Sequence, residues 1–311
     1  MEALSKLQES DIPAIIMPTA SAFLPLLEKN RSQIEAVPRS TFKYGPTDRH
    51  QLDVYYPVSH DGSGKTPVLV WIYGGGFTSG DRRLEAPMDL GYACVGAYFA
   101  RKGFVVVIPD YRLAPDFTFP SGAQDVRDAT VWVIQHPEHL TTPTSPNPDV
   151  GGVFMMGHSA GAVHVFAALM LPQTPETAVL KSNVVGAILC AGAFNIRELS
   201  KDAVLYPVIV QHYNGEERVQ EDEPMGLLRR ADDATVAALP RLIVVEGEKE
   251  PSWLLTAGAD FRDAIEARIG KRPEWIVAKH HNHISTNMAL STGEGEEWAE
   301  SVIEWIKRGD R

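Results

Sequence analysis

The feature that most constrains this chain is the pentapeptide Gly157-His158-Ser159-Ala160-Gly161, together with what flanks it. An apolar run, Val153-Phe154-Met155-Met156, precedes it, and an alanine-rich run of helical character, Val163 to Leu171, follows. A strand must therefore end, turn within a few residues and start a helix. Glycines around the turn leave room for backbone that a side chain would block, and the serine between them is left pointing out above the sheet. A serine placed in this way is a candidate nucleophile. It needs a base to take its proton, an acid to orient that base, and donors already in place for the oxyanion.

The rest of the chain supplies a scaffold for such a turn. From Pro67 onward, short apolar runs at 68–73, 104–108, 153–156, 184–190, 242–246 and 275–278 read as buried strands. They alternate with helical periodicity at about 87–102, 122–136, 160–171, 253–269 and 296–307. That alternation predicts an α/β fold, with a mostly parallel central sheet, helices on both faces and a helical lid. Ahead of it, Phe42 and Tyr44 alternate on one side of the polar turn 46–49 and Leu52, Val54 and Tyr56 on the other, which predicts a hairpin. Residues 1–38 carry scattered apolar positions broken by Pro13, Pro18 and Pro25, and predict short helices separated by prolines. Residues 139–150 read as a surface loop. The stretch 195–240 is too long for a simple crossover and holds charged helical pieces. With residues 1–40 it is expected to form a lid on a single domain, 1–311.

Candidates for the remaining parts follow from position. After the strand that ends Trp71-Ile72-Tyr73 comes Gly74-Gly75-Gly76-Phe77, and only glycines bring backbone N–H groups this close to a substrate carbonyl. No phosphate-cradling glycine pattern follows any strand. Of the ten histidines, His50 and His60 lie in or near turns, His136 and His139 at a helix end and His212 in the lid segment, and these read as surface or cap residues. His158 and His164 flank the serine and read as packing or tautomer-fixing groups. His280-His281-Asn282-His283 follows the last strand, where a loop can hang an imidazole over Ser159, and His283 is the chosen base. Glu246, Glu248 and Glu250 lie at or just beyond the preceding strand. Glu250, next to Pro251 and the following helix, is preferred as the acid, with Glu248 kept as its rival. Phe77, Phe117, Phe119, Tyr206 and Tyr213 are candidate pocket walls and equally candidates for ordinary core.

Composition closes off other classes. The formal net charge of −11, with no basic run, disfavours nucleic acid or an anionic membrane as partner. No stretch of about 18 apolar residues suggests a membrane span, and the first 30 residues lack the basic and apolar regions of a secretory signal, so a cytoplasmic protein is expected. Cys94 and Cys190 sit in apolar surroundings, read as free thiols, and have no metal-ligand spacing.

With these residues assembled, the chain resembles the α/β-hydrolase superfamily from about Leu52 to its end, and within it the hormone-sensitive-lipase-like carboxylesterases and the kynurenine formamidases. Trp71 to Phe77 is similar to the oxyanion loop of those esterases. Asp110-Tyr111-Arg112-Leu113-Ala114-Pro115, with Phe119-Pro120 and Asp125, is similar to a segment that in the lipase group supports that loop from behind. Gly157 to Ala162 resembles the formamidase elbow, and Glu250-Pro251 stands where the lipase group often has Asp-Pro. The resemblance implies an α/β-hydrolase fold and the chain order Ser159, Glu250, His283 for nucleophile, acid and base. It also implies oxyanion donors at the N–H groups of Gly75, Gly76 and Ala160. The sequence departs from the pattern at Tyr73, where a histidine usually opens the glycine loop, and at Glu250, where an aspartate is usual.

The expected reaction is acyl transfer from a small-molecule ester or aryl formamide to Ser159 and then to water, needing neither metal nor organic cofactor. Two other readings stay open. One is a non-catalytic superfamily member that binds a small ligand, which would be expected to lack a catalytic group. The other is an acyltransferase or lactonase using the same residues. A homodimer is also left open.

Overall fold

A computed structural model of the chain describes residues 1–7, 9–59 and 64–309; His60 lies outside them. Eight strands form one sheet: β1 (Arg39–Lys43), β2 (Gln51–Tyr55), β3 (Val68–Ile72), β4 (Val105–Pro109), β5 (Val153–His158), β6 (Val184–Cys190), β7 (Arg241–Gly247) and β8 (Glu274–Ala278). Their order is β1-β2-β4-β3-β5-β6-β7-β8. β1 and β2 form the expected hairpin, with Lys43 opposite Gln51, and β2 runs antiparallel to β4. All other pairings are parallel. Every residue of β3, β4 and β5 is buried, which is why these strands read as unbroken apolar runs instead of alternating ones.

The fourteen α-helices among the described residues are α1 (Glu2–Ser5), α2 (Ile12–Lys29), α3 (Arg31–Glu35), α4 (Leu90–Arg101), α5 (Ser121–Gln135), α6 (Ala160–Met170), α7 (Pro175–Asn183), α8 (Leu205–His212), α9 (Glu216–Asp222), α10 (Pro224–Arg230), α11 (Asp233–Ala237), α12 (Ser252–Ile269), α13 (Ser285–Met288) and α14 (Glu297–Lys307). They cover both faces of the sheet. No helix among the described residues is long and apolar enough to cross a membrane.

The topology places the site. From β3 the chain crosses to β4 on one side and then returns to β5 on the other, so the loops leaving β3 and β5 diverge. In open parallel sheets such a switch point opens a crevice at the carboxyl ends of the strands. The loop beginning at Gly74 and the turn at Ser159 both leave from there.

The structure overturns the reading of the N-terminal prolines as helix breaks. α2 is one helix of 18 residues that contains Pro18 and Pro25. Each interior proline costs about 3 kcal/mol, but Ile12, Ile15, Phe23 and Leu27 are buried along one face, at about 1.5–3 kcal/mol each. Packing therefore wins over propensity. α7 was not foreseen, although Thr174-Pro175 carries a helix-start signal. The Thr174 hydroxyl accepts the Thr177 N–H at 3.2 Å, and Pro175 occupies the first turn, where a missing N–H is harmless.

Candidate active site

At the end of β5 the backbone of Ser159 adopts φ 55°, ψ −124°, and α6 starts at the next residue. The Ser159 N–H donates to Cys190 O at 2.8 Å, which ties the turn to β6. The turn is so tight that a Cβ on Gly161 would lie 2.2 Å from Ile72 O, and one on Gly157 would lie 2.4 Å from Gly161 O. Only glycine fits at either position. A Cβ on Gly74 would approach Ser159 Cβ to 2.9 Å, so the glycine loop and the turn lie side by side.

Gly75 has φ 125° and Gly76 φ 59°, values open to glycine and rare for other residues. The N–H groups of Gly75, Gly76 and Ala160 have no hydrogen-bond partner among the described residues. The loop is held from behind. Tyr111 donates its hydroxyl to Tyr73 O at 2.9 Å, and Arg49 donates to Tyr111 O at 2.7 Å. The phenol of Tyr73 is buried between Tyr92 and Tyr111, donates to Asp110 Oδ1 at 2.8 Å and accepts from Arg49 at 2.8 Å. Tyr73 is thus part of the support and does not line the cavity. Burial pushes the Asp110 carboxyl up, opposed by the Arg82 backbone N–H and the Tyr73 hydroxyl.

Three glutamates near the end of β7 take three different environments. Glu250 is buried, and its Oε2 accepts from His283 Nδ1 at 2.7 Å. Glu248 is exposed and accepts the His280 N–H at 2.7 Å. Glu246 is buried, accepts from Trp275 Nε1 at 2.7 Å, and is pushed by burial to a pKa of about 7. Only Glu250 reaches His283. Beside them, His158 donates from Nε2 to His283 O at 2.8 Å. Burial, and then the nearby His283, hold its pKa well below the usual histidine range. Ser159 and His283 face one cavity, and no hydrogen bond is closed between their side chains among the described residues.

The BD-FAE family model matches residues 52–187. A probable isoprenylcysteine alpha-carbonyl methylesterase of Oryza sativa subsp. japonica is 22% identical over 279 residues, 86% of this chain and 63% of that protein. A kynurenine formamidase of Danio rerio is 29% identical over 167 residues, 53% of this chain and 49% of that one. The chain therefore spans less than two thirds of the length of these relatives. Among solved structures, esterase B of Lactobacillus rhamnosis superposes with a TM-score of 0.70 at 17% identity, covering 96% of both chains. An esterase of the archaeon Pyrobaculum calidifontis superposes at 0.66 and 20% identity, covering 99% of this chain and 95% of its own. The chain has the α/β-hydrolase fold.

The cavity above Ser159 measures about 380 Å³. Ile12, Pro13 and Ile16 of α2 form part of its wall, with Leu205, Val208 and Ile209 of α8, Trp253 and Leu254 of α12, and Ile284 and Met288 beyond His283. No Asp, Glu, Lys or Arg lines it among the described residues.

Of the five aromatic residues considered as walls, only Phe77 lines the cavity. Phe117 is exposed, Phe119 and Tyr213 pack in a small core beneath α8, and Tyr206 donates to Glu216 at 2.8 Å. Much of the wall is instead aliphatic, with the side chains of α2 and α8 prominent in it and Trp253 and Tyr92 beside them. Two histidines expected at the surface are buried instead. His50 lies with Nε2 3.2 Å from Asp125 Oδ1, and His212 stacks on Phe77 with ring centroids 4.0 Å apart. Burial takes the pKa of His212 down to about 3. His164 is buried in the same aromatic cluster, T-shaped to Tyr111 and Phe77. Both cysteines are free and buried, and burial pushes the thiol of Cys94 up to about 12.

Proposed function

We propose that this protein is a serine hydrolase of small, uncharged carboxylic esters. Ser159 is the nucleophile, His283 the general base, Glu250 the acid that fixes the imidazole tautomer, and the N–H groups of Gly75, Gly76 and Ala160 the oxyanion donors. The observation that carries this reading is the buried 2.7 Å contact between Glu250 and His283 Nδ1 at the floor of the cavity that holds Ser159. With Nδ1 donating to the carboxylate, Nε2 is left as the acceptor for the serine proton. The imidazole closes on Oγ when substrate binds, as such contacts often do. Ser159 then attacks the carbonyl carbon, the alcohol leaves with the proton held by His283, and an acyl-enzyme remains. Water deprotonated by the same imidazole releases the acid and restores the serine.

Substrate class follows from the wall. A charged group moved into a largely apolar cavity that offers it no Asp, Glu, Lys or Arg partner loses hydration that is not fully replaced, so a neutral acyl group is favoured. Residues 1–40 and 195–240 serve as lid segments, α2 and α8 being their contribution to the wall. Names among the relatives support ester chemistry. The 29% match to a kynurenine formamidase supports aryl formamide as a second substrate class for the same residues.

The test is labelling with a fluorophosphonate, with the adduct located by mass spectrometry, followed by a panel of p-nitrophenyl esters from acetyl to octanoyl, p-nitrophenyl hemisuccinate and an N-formyl arylamine. An adduct on Ser159 and preference for butyrate over hemisuccinate are expected. An unlabelled Ser159 in a folded protein that hydrolyses none of the panel overturns the reading.

A further inference from the structure

The N-terminal segment does more than wall the cavity, because it is hydrogen-bonded to both loops behind the histidine and its carboxylate. Lys249, immediately before Glu250, is half-buried, and its ammonium donates to Leu4 O at 2.6 Å and to Leu7 O at 3.5 Å, at the end of α1. Asn282, immediately before His283, is buried and donates from Nδ2 to Thr19 Oγ1 of α2 at 2.8 Å. Its Oδ1 accepts the N–H groups of Ile284 at 3.1 Å and Ser285 at 3.0 Å. The two loops also hold each other, since Lys249 N–H donates to His281 O at 2.8 Å.

These contacts leave the imidazole little freedom. The Oδ1 bonds stiffen the 282–285 bend as a unit, and turning that unit away from α2 breaks the Asn282–Thr19 bond, leaving a buried amide donor with its full desolvation cost. The far end of the tie is equally fixed. Thr19 is fully buried, and Ile15, Ala20, Phe23 and Leu27 of the same helix are buried with it. None of these partners touches the space where a substrate would lie, as Thr19, Lys249 and Asn282 are absent from the cavity wall.

Resting on the hydrolase reading above, we propose that α1 and α2 form a positioning strap: Thr19 acts through Asn282 to set the imidazole of His283, and the end of α1 acts through Lys249 to set the carboxylate of Glu250. Thr19 and Lys249 are positioning residues, and their removal misplaces the acid and base while leaving the substrate wall intact.

The experiment compares Thr19→Val, Thr19→Ser and Lys249→Met with the wild type in p-nitrophenyl butyrate hydrolysis, with thermal unfolding as a control. Valine keeps the shape and removes the acceptor; serine restores it. Thr19→Val is expected to lower kcat about tenfold to a hundredfold, the scale of a small misplacement of catalytic groups, with KM within about twofold. Thr19→Ser is expected to recover most of that loss. Lys249→Met, which keeps the length of the side chain and removes the ammonium donor, is expected to lower kcat and shift the acidic limb of the kcat–pH profile. The low-field proton signal of His283 Nδ1 is followed in the same proteins and is expected to move in Thr19→Val. An unchanged kcat and signal in Thr19→Val and Lys249→Met, or a Thr19→Ser variant no better than Thr19→Val, overturns the strap. A wild type that hydrolyses no ester defeats the hydrolase reading instead, and the His283 signal still decides the positioning.

Discussion

The floor and the wall of the cavity are made of different material. Glu250, His283, Ser159 and the glycine loop stand at the carboxyl ends of β7, β8, β5 and β3, and the Glu250–His283 pair among them is buried and hydrogen-bonded. The wall from α2 and α8 is aliphatic, presents only contact surface to the cavity, and reaches solvent at its edge, where Ile16 is 39% exposed and the neighbouring Met17 and Val204 are 68% and 67% exposed. A floor of this kind depends on tenths of an ångström and on single atoms. The wall depends on volume. Changes to the floor should therefore appear in kcat, and changes to the wall in KM and in the preferred acyl length.

The sharpest way to break that contrast is Ser159→Ala, expected to lower kcat for p-nitrophenyl butyrate by roughly 10⁴–10⁶-fold in a protein that unfolds normally. A loss under tenfold would mean the floor is not where the chemistry happens. Next, Glu250→Gln should cost roughly 10³–10⁴-fold in kcat, whereas Glu248→Gln, which loses only an exposed contact, should stay within about twofold. Steady-state kinetics on the two variants decides between the acids, and a severe loss confined to Glu248→Gln would reassign the role.

For the wall, Val208→Trp should raise KM for hexanoate over acetate by roughly 10–100-fold, the scale of a filled apolar subsite. If the main effect falls on kcat for acetate, the wall takes part in positioning and the division between the regions is wrong. The smallest effect concerns Glu246, on the far side of the floor. Its carboxyl, ordinarily near 4.5, is raised to about 7 by burial. The folded state thus holds a proton that the unfolded chain has released, and this stability is full below about pH 4.5 and lost as pH rises through about 7. The difference is on the order of 3 kcal/mol. Glu246→Gln should therefore gain melting temperature relative to the wild type between pH 5 and pH 8 in calorimetry; an unchanged difference would mean that burial does not perturb this group.

Legibility in the sequence followed the same division. The strands and the turn at Ser159 could be read because their signals are local: unbroken apolar runs between turn residues, and glycines where no Cβ fits. The proposed order Ser159, Glu250, His283 can be written down from the sequence as well, but the choice among Glu246, Glu248 and Glu250 turns on which carboxylate meets an imidazole 33 residues further on. Composition does not encode that contact. The wall was hardest to read. Pro18 and Pro25 hid a continuous α2 whose buried face is defined only by the core it meets, and aromatic residues drew attention away from Ile16 and Val208. His212 looked like a surface residue because its burial depends on Phe77, far away in sequence. The ties from Thr19 to Asn282 and from Lys249 to Leu4 join residues more than 240 positions apart, and no local pattern announces them.

The backbone of Ser159, at φ 55° and ψ −124°, has a further consequence. An L-residue held there carries strain of about 1–3 kcal/mol, and glycine carries almost none. A library of this chain screened only for heat resistance should therefore enrich glycine at position 159, while a screen for turnover should remove it. At this one codon the two kinds of selection pull in opposite directions.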